Sequence, residues 1–288
     1  GPMLIERLAI AYQPSAALLL RDAPKPGWSF PWKRELLAFA DPRLGTAEGR
    51  LAADALGGAE LQAPLPASAE EARGIARYCH GRAQLNLGPN DLKQRFIASA
   101  AAAPLLHLAT HATADMTVPE RSRILFSPAA PGHRADYLFL KEVYGLDLRG
   151  VDLATLSACD TERGKTIRGE GVQGFSRALL AAGARSSITA LWRVSDGASR
   201  ELMKQLYYEL NHGVPKAEAL RKAKLRLLRS SSELREPRYW AAFVLSGDGL
   251  YPIPRFVPWS WFFAVLAIAA LIGAGLHRRR KAVLTTAE

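Results

Sequence analysis

The sequence predicts an α/β fold, a mostly parallel sheet covered by helices, followed by a C-terminal transmembrane helix. Four short apolar runs, Leu105–Ala109, Val151–Leu156, Ser187–Leu191 and Ala241–Leu245, have the near-continuous hydrophobicity of strands buried on both faces. Helical patterns separate them, as βαβ crossovers onto one sheet require. A 20-residue stretch, Val257–Leu276, holds no charged side chain.

The helical patterns carry their own stop signals. In Val172–Ala182 the residues Val172, Phe175 and Leu179 share one face, and Gly183 stands where a left-handed C-terminal cap belongs. In Ala198–His212 the residues Leu202, Leu206 and Leu210 recur every four, with Gly213 as terminator. The first hundred residues read more loosely. Leu8–Tyr12, Ala16–Leu20 and Leu36–Ala40 are strand candidates, followed by helices near Ala69–Tyr78 and Asp91–Ala102. Pro24, Pro26, Pro31, Pro64 and Pro66 mark exposed connections, and no repeat period is present. Gly1-Pro2 ahead of Met3 reads as the scar of a removed tag, so the sequence is silent on a leader. The expected organisation is one domain over residues 3–250, a proline-rich linker at 251–256, the membrane helix at 257–276 and a basic tail at 277–288.

Composition narrows the function classes. With 49% hydrophobic and 23% charged residues over 288 positions, the chain is no disordered protein. Its two cysteines, Cys79 and Cys159, form no zinc-spaced cluster with histidine, so neither a metal nor a cofactor is expected. The net charge of +11 is concentrated at Lys216–Arg229 and Arg278–Lys281. The first stretch predicts an amphipathic helix with Leu220, Ala223 and Leu227 inside and Arg221, Lys222, Lys224 and Arg229 outside. Such a face is a solvated surface or one turned to anionic lipid. No aromatic residues interleave with the charges, so nucleic acid is not expected as a partner.

The uncharged stretch matches the roughly 30 Å hydrocarbon core of a bilayer at ~1.5 Å per residue. Trp259, Trp261, Phe262 and Phe263 crowd one end, where an interfacial aromatic belt forms, and Arg278 to Lys281 close the other. The positive-inside rule then places the tail in the cytoplasm of a single-pass membrane protein, the side of the main domain being left open.

In open α/β sheets chemistry collects at the carboxyl ends of strands. The run Leu105–Ala109 leads into Thr110-His111-Ala112, and Val151–Leu156 leads into Ser157-Ala158-Cys159-Asp160-Thr161. A Cys and a His at the ends of two neighbouring strands suit a thiol nucleophile with an imidazole partner. The imidazole lowers a thiol pKa that is ordinarily about 8.5 and returns a proton to the leaving amine. Backbone N–H groups of Ala112 and Cys159 are placed to stabilise an oxyanion, worth about 3 kcal/mol per donor.

The blocks His107-Leu108-Ala109-Thr110-His111-Ala112 and Leu156-Ser157-Ala158-Cys159-Asp160-Thr161 resemble the signatures of the CHAT peptidases, relatives of caspases and separases. The resemblance continues through Gly169-Glu170-Gly171, Ala182-Gly183-Ala184-Arg185, Leu191-Trp192-Arg193-Val194-Ser195-Asp196 and Tyr239-Trp240-Ala241-Ala242-Phe243. It implies a caspase-like α/β/α sandwich and a cysteine endopeptidase that passes through a thioester, with His111 and Cys159 catalytic. It also implies a protein substrate and regulatory repeats, upstream or on a separate chain. The segment from Leu191 to Asp196 matches a stretch that in relatives borders the pocket for the residue before the cut. Separase-type relatives prefer a basic residue there, so Asp160 or Asp196, beside Trp192, would be the acidic floor. Read on its own, Asp196 suits equally a helix N-cap. Ala112 stands where the family often has glycine.

Other chemistries fit less well. Gly169-Glu170-Gly171-Val172-Gln173-Gly174 matches a dinucleotide fingerprint but does not open directly off its strand. Lys165 occupies the place where a phosphatase loop needs arginine, and no G-x-S-x-G occurs. The alternative of another class is a membrane-tethered scaffold that keeps the fold without turnover.

Overall fold

The computed structural model describes residues 3–14, 28–29, 33–43, 65–79, 82–115, 117–130, 133, 135–157, 166–167, 171–172, 174–230, 233–256 and 259–285. The expected strand Ala16–Leu20, the prolines Pro24, Pro26, Pro31 and Pro64, and Cys159 and Asp160 lie outside these residues.

The strands are β1 (Trp28–Ser29), β2 (Leu36–Ala40), β3 (Ala83–Leu87), β4 (Leu105–Ala109), β5 (Ala112–Thr113), β6 (Arg123–Phe126), β7 (Asp136–Phe139), β8 (Leu153–Leu156), β9 (Thr166–Ile167), β10 (Gly171–Val172), β11 (Ser186–Ala190), β12 (Phe243–Gly247) and β13 (Arg255–Phe256). The α-helices are α1 (Pro66–Ala76), α2 (Lys93–Ser99), α3 (Leu140–Val143), α4 (Phe175–Ala181), α5 (Asp196–Asn211), α6 (Lys216–Leu228), α7 (Pro237–Trp240) and α8 (Trp259–Thr285). They form two compact units, residues 1–26 with 34–253, and residues 27–33 with 254–288.

In the first unit a six-stranded sheet runs in the order β12-β11-β8-β4-β2-β3. All its pairings are parallel except β11 with β12. The central strands are buried on both faces, and alternate side chains feed two cores. Leu36, Ala38 and Ala40 of β2 join Ile75 of α1, Leu206 of α5 and Leu220 of α6. Leu37 and Phe39 join Phe96 of α2, Val143 of α3 and Phe175 of α4 on the other face. That is the period of two that a strand imposes, with both faces apolar because helices cover both. Phe39, Phe96 and Phe126 make edge-on and tilted ring contacts of 5.3 to 6.0 Å. Each such ring contributes about 1.5–3 kcal/mol by burial. The architecture is the α/β class with a mostly parallel sheet that the sequence predicts.

Several elements depart from expectation. Leu8–Tyr12 is no strand: Tyr12 makes a single parallel bridge to Ser246, and Leu8, Ile10 and Tyr12 are exposed. The antiparallel sheet β5-β6-β7 and the edge strand β3 were not among the predicted strands. Gly183 ends α4 as expected, at φ +113°, and a Cβ there would lie 2.8 Å from Arg149 Cγ, so only glycine fits. Lys216 is fully buried, its Nζ 3.3 Å from both Asp152 Oδ2 and Asp248 Oδ2, while Arg185 Nη2 lies 2.8 Å from Asp248. Part of the positive charge is thus neutralised inside the fold. Lys224, expected on the solvent face of α6, instead lines an apolar cavity.

In the second unit β1 pairs parallel with β13, so the proline-flanked segment 251–256 ends in a short strand rather than wholly extended coil. The helix α8 is 27 residues long. Its described side chains, 260–275, include Trp261, Phe263 and Leu271 at 69%, 60% and 73% exposure. Among the described residues no helix is long and apolar enough to cross a membrane.

Candidate active site

The sheet reverses its order at β2: the chain passes from β2 to β3 on one side, then returns to β4 on the other. Crevices at the carboxyl ends of strands next to such a switch are where α/β sheets bind ligands. His111 follows β4 at that edge and is 7% exposed. Two flanking bonds hold its backbone: Leu125 N–H donates to His111 O at 2.9 Å, and Thr110 Oγ1 donates to Leu125 O at 2.7 Å. Ala112 then begins β5, paired with Ile124. The imidazole is therefore mounted where the chain leaves one sheet and joins another, a fixture with little backbone freedom.

Strand β8 lies next to β4 in register, Leu108 opposite Leu156, and Ser157 N–H extends the ladder by donating to Leu108 O at 2.8 Å. His111 and Cys159 each stand three residues beyond that last registered pair. Ala158, Cys159 and Asp160 lie outside the described residues. The other thiol, Cys79, is buried, and burial pushes it well above the ordinary thiol range. A thiol held protonated in the core is inert as a nucleophile.

Trp192 and Asp196 follow β11, the strand on the far side of β8. Trp192 Nε1–H donates to the Arg238 carbonyl of α7 at 3.0 Å, which fixes the indole at the sheet edge. Asp196 is the first residue of α5, and Ser195 occupies the cap position. Burial pushes the Asp196 carboxyl above the ordinary range, and the Glu71 carboxylate adds to this. His111 and Arg193 pull it the other way, which sets Asp196 in the electrostatic neighbourhood of His111. Predicted residues from β4 and β11 thus converge at one strand edge, on either side of β8.

A polar chain lies behind this edge. His107 of β4, fully buried, points from the same face as Leu105 and Ala109. Its Nε2 lies 2.9 Å from Glu71 Oε1 on α1, where a carboxylate can only accept. Its Nδ1 lies 3.1 Å from the Tyr207 hydroxyl on α5, which reaches Thr155 Oγ1 of β8 at 3.5 Å. Burial pushes the Tyr207 phenol up, so it keeps its proton as a donor. The chain ties α1 and α5 to the two strands that lead toward His111 and Cys159. The signal in the sequence is His107 itself, a polar residue at a core position of an apolar run.

No group of three or more His, Cys, Asp or Glu able to hold a metal occurs among the described residues.

The fold is similar to a chain of the Saccharomyces cerevisiae separase–securin complex, at TM-score 0.51 and 14% identity, covering 87% of this chain and 14% of that one. The family model for the CHAT domain matches residues 1–248. The chain belongs to the CHAT domain family. Tetratricopeptide repeat protein 28 of Mus musculus is 27% identical over 218 residues, and that of Homo sapiens 26%. The match takes in 65% of this chain and only 9% of the length of either relative.

Removing the imidazole of His107 leaves the buried Glu71 carboxylate without a hydrogen-bond partner among the described residues. His107→Leu is expected to cost about 3–5 kcal/mol in denaturant unfolding, and Tyr207→Phe about 1 kcal/mol. A His107→Leu variant as stable as the parent would show that the chain carries no such burden.

Proposed function

We propose that the chain is a cysteine endopeptidase in which Cys159 is the nucleophile and His111 its acid–base partner. The observation that carries the reading is the pairing of β4 with β8. It sets the strand that leads into His111, itself held by the Leu125 N–H bond to its carbonyl, beside β8, whose ladder ends at Ser157, two residues before Cys159 in sequence. The Cys159 thiolate attacks the scissile carbonyl carbon, and the oxyanion is met by the N–H groups of Ala112 and Cys159. The C–N bond breaks as His111 protonates the departing amine, leaving a thioester. Water, losing a proton to His111, then hydrolyses the thioester and restores the thiolate.

Asp196 or Asp160 is the acidic floor for a basic residue before the cut, and Trp192 forms a wall beside it. A guanidinium or ammonium there would stabilise the ionised form of a carboxyl that burial otherwise disfavours. The substrate is a protein. Repeats of the kind named in the relatives, on the same chain or another, would regulate access. A peptide library varied before the scissile bond should be cleaved after Arg or Lys. Cys159→Ala should lower this by roughly a thousandfold or more. Absence of cleavage by the parent protein would favour the scaffold reading.

We further propose that residues 257–276 anchor the chain in a membrane as a single pass, with the basic tail in the cytoplasm. The support is the uncharged run Val257–Leu276, the helix over Trp259–Thr285, its exposed apolar side chains and Arg278–Lys281 beyond. Truncation after Pro258 should release the protein from the membrane fraction. Retention there would remove the anchor from the account.

A further inference from the structure

At the β12 edge of the sheet lies a cavity of about 280 Å³, remote in sequence from every residue of the strand-end site except Leu191 beside Trp192. Val244 of β12, Leu220 of α6 and Trp240 of α7 form part of its lining, and Leu4 and Ile10 of the N-terminal segment another part. That segment is not loosely laid. Tyr12 N–H donates to Leu245 O at 2.8 Å, and Gly247 N–H returns a bond to Tyr12 O at 2.9 Å. Arg221 donates from Nε to Ile5 O at 2.8 Å and from Nη2 to Glu6 O at 2.5 Å. The cavity is therefore a built feature whose wall is fixed by backbone bonds to its floor.

Two cations line it, and they differ. Arg221 is fully engaged, by the two carbonyls and by Glu218 Oε1 at 2.8 Å. Lys224, one turn further along the same helix face as Leu220, has no acidic partner among the described residues. Burial alone acts on its amine, which is pushed down to about 8. On the opposite side of α6, Lys222 meets Glu209 Oε2 at 3.0 Å. An ammonium drawn into an apolar pocket without a counter-charge costs free energy that a ligand can recover.

We propose that this cavity binds a small amphiphile with an aliphatic body and a single anionic head, a medium-chain carboxylate being its simplest form, with Lys224 as the counter-cation. The chemistry selects among ligand classes. A neutral apolar molecule fills the walls but leaves the ammonium unpaired. A cationic one meets Lys224 and Arg221 with like charge. An aliphatic anion satisfies both the apolar lining and the half-buried charge of Lys224.

The test uses the full chain in nanodiscs of neutral lipid and a diazirine-bearing decanoic acid as the probe, with cross-links mapped by peptide mass spectrometry. Cross-links are expected in residues 3–12, 217–224 and 240–245, competed by decanoic acid and not by decanol. Lys224→Met should reduce this labelling by about tenfold or more, the equivalent of roughly 1.4 kcal/mol, whereas Lys224→Arg should retain it. The ammonium is the form present below its pKa, so labelling should fall as pH rises past about 8. Labelling confined to residues 257–276, or equal in Lys224→Met and the parent, would overturn the proposal.

Discussion

Strand β4 is paired in parallel on both edges and buried on both faces, and the organisation of the site follows from that constraint. A strand so placed has every backbone polar group satisfied by its neighbours and must send alternate side chains into two separate cores. It can neither slip nor twist independently, because a one-residue shift would exchange the two sets. Leu106 and Leu108 are fixed toward the α2–α4 side, Leu105 and Ala109 toward the α1–α5 side. The residue emerging from the carboxyl end, His111, inherits that rigidity, and β5 secures it from beyond.

The one polar side chain facing a core from within β4 shows how the constraint is extended. His107 bonds to Glu71 on one helix and Tyr207 on another, and Tyr207 reaches the next strand through Thr155. Apolar packing alone would hold these elements at the right distance with freedom to slide. Directional bonds in a low-dielectric setting give the arrangement one geometry. Glu71 also bears on Asp196 electrostatically, and Asp196 on His111. Core and site share a single charge environment. The opposite edge of the sheet holds the compensated cluster of Lys216, Arg185, Asp152 and Asp248, so buried charge is paired at the amino ends as well.

Much of this was legible in the residues, for reasons that also explain the failures. Leu36–Ala40 and Leu105–Ala109 stand in the structure at their predicted bounds because a strand buried on both faces writes itself as an uninterrupted apolar run. β3 leaves no apolar run in the sequence because Gln84 and Asn86 interrupt it, as an edge strand with mostly half-buried side chains tolerates. Ala241–Leu245 begins two residues early, since Pro237 starts a helical turn that carries the chain through Trp240. His111 is legible from its place after an apolar run, whereas the chain of bonds behind it joins residues 36 and 100 positions away from His107. No local pattern encodes a contact of that span. The charge of Lys224 points to the solvent face, but its spacing of four from the buried Leu220 turns it toward the cavity.

The proposed dyad requires the strand edge that holds His111 to activate one thiol and not the other. Treatment with a peptidyl chloromethyl ketone ending in arginine, followed by mass spectrometry of the modified peptide, tests it most directly. Alkylation is expected at Cys159 and none at Cys79, with loss of the Cys159 adduct in His111→Ala. Absence of any Cys159 adduct, or an equal yield without the imidazole, would contradict it.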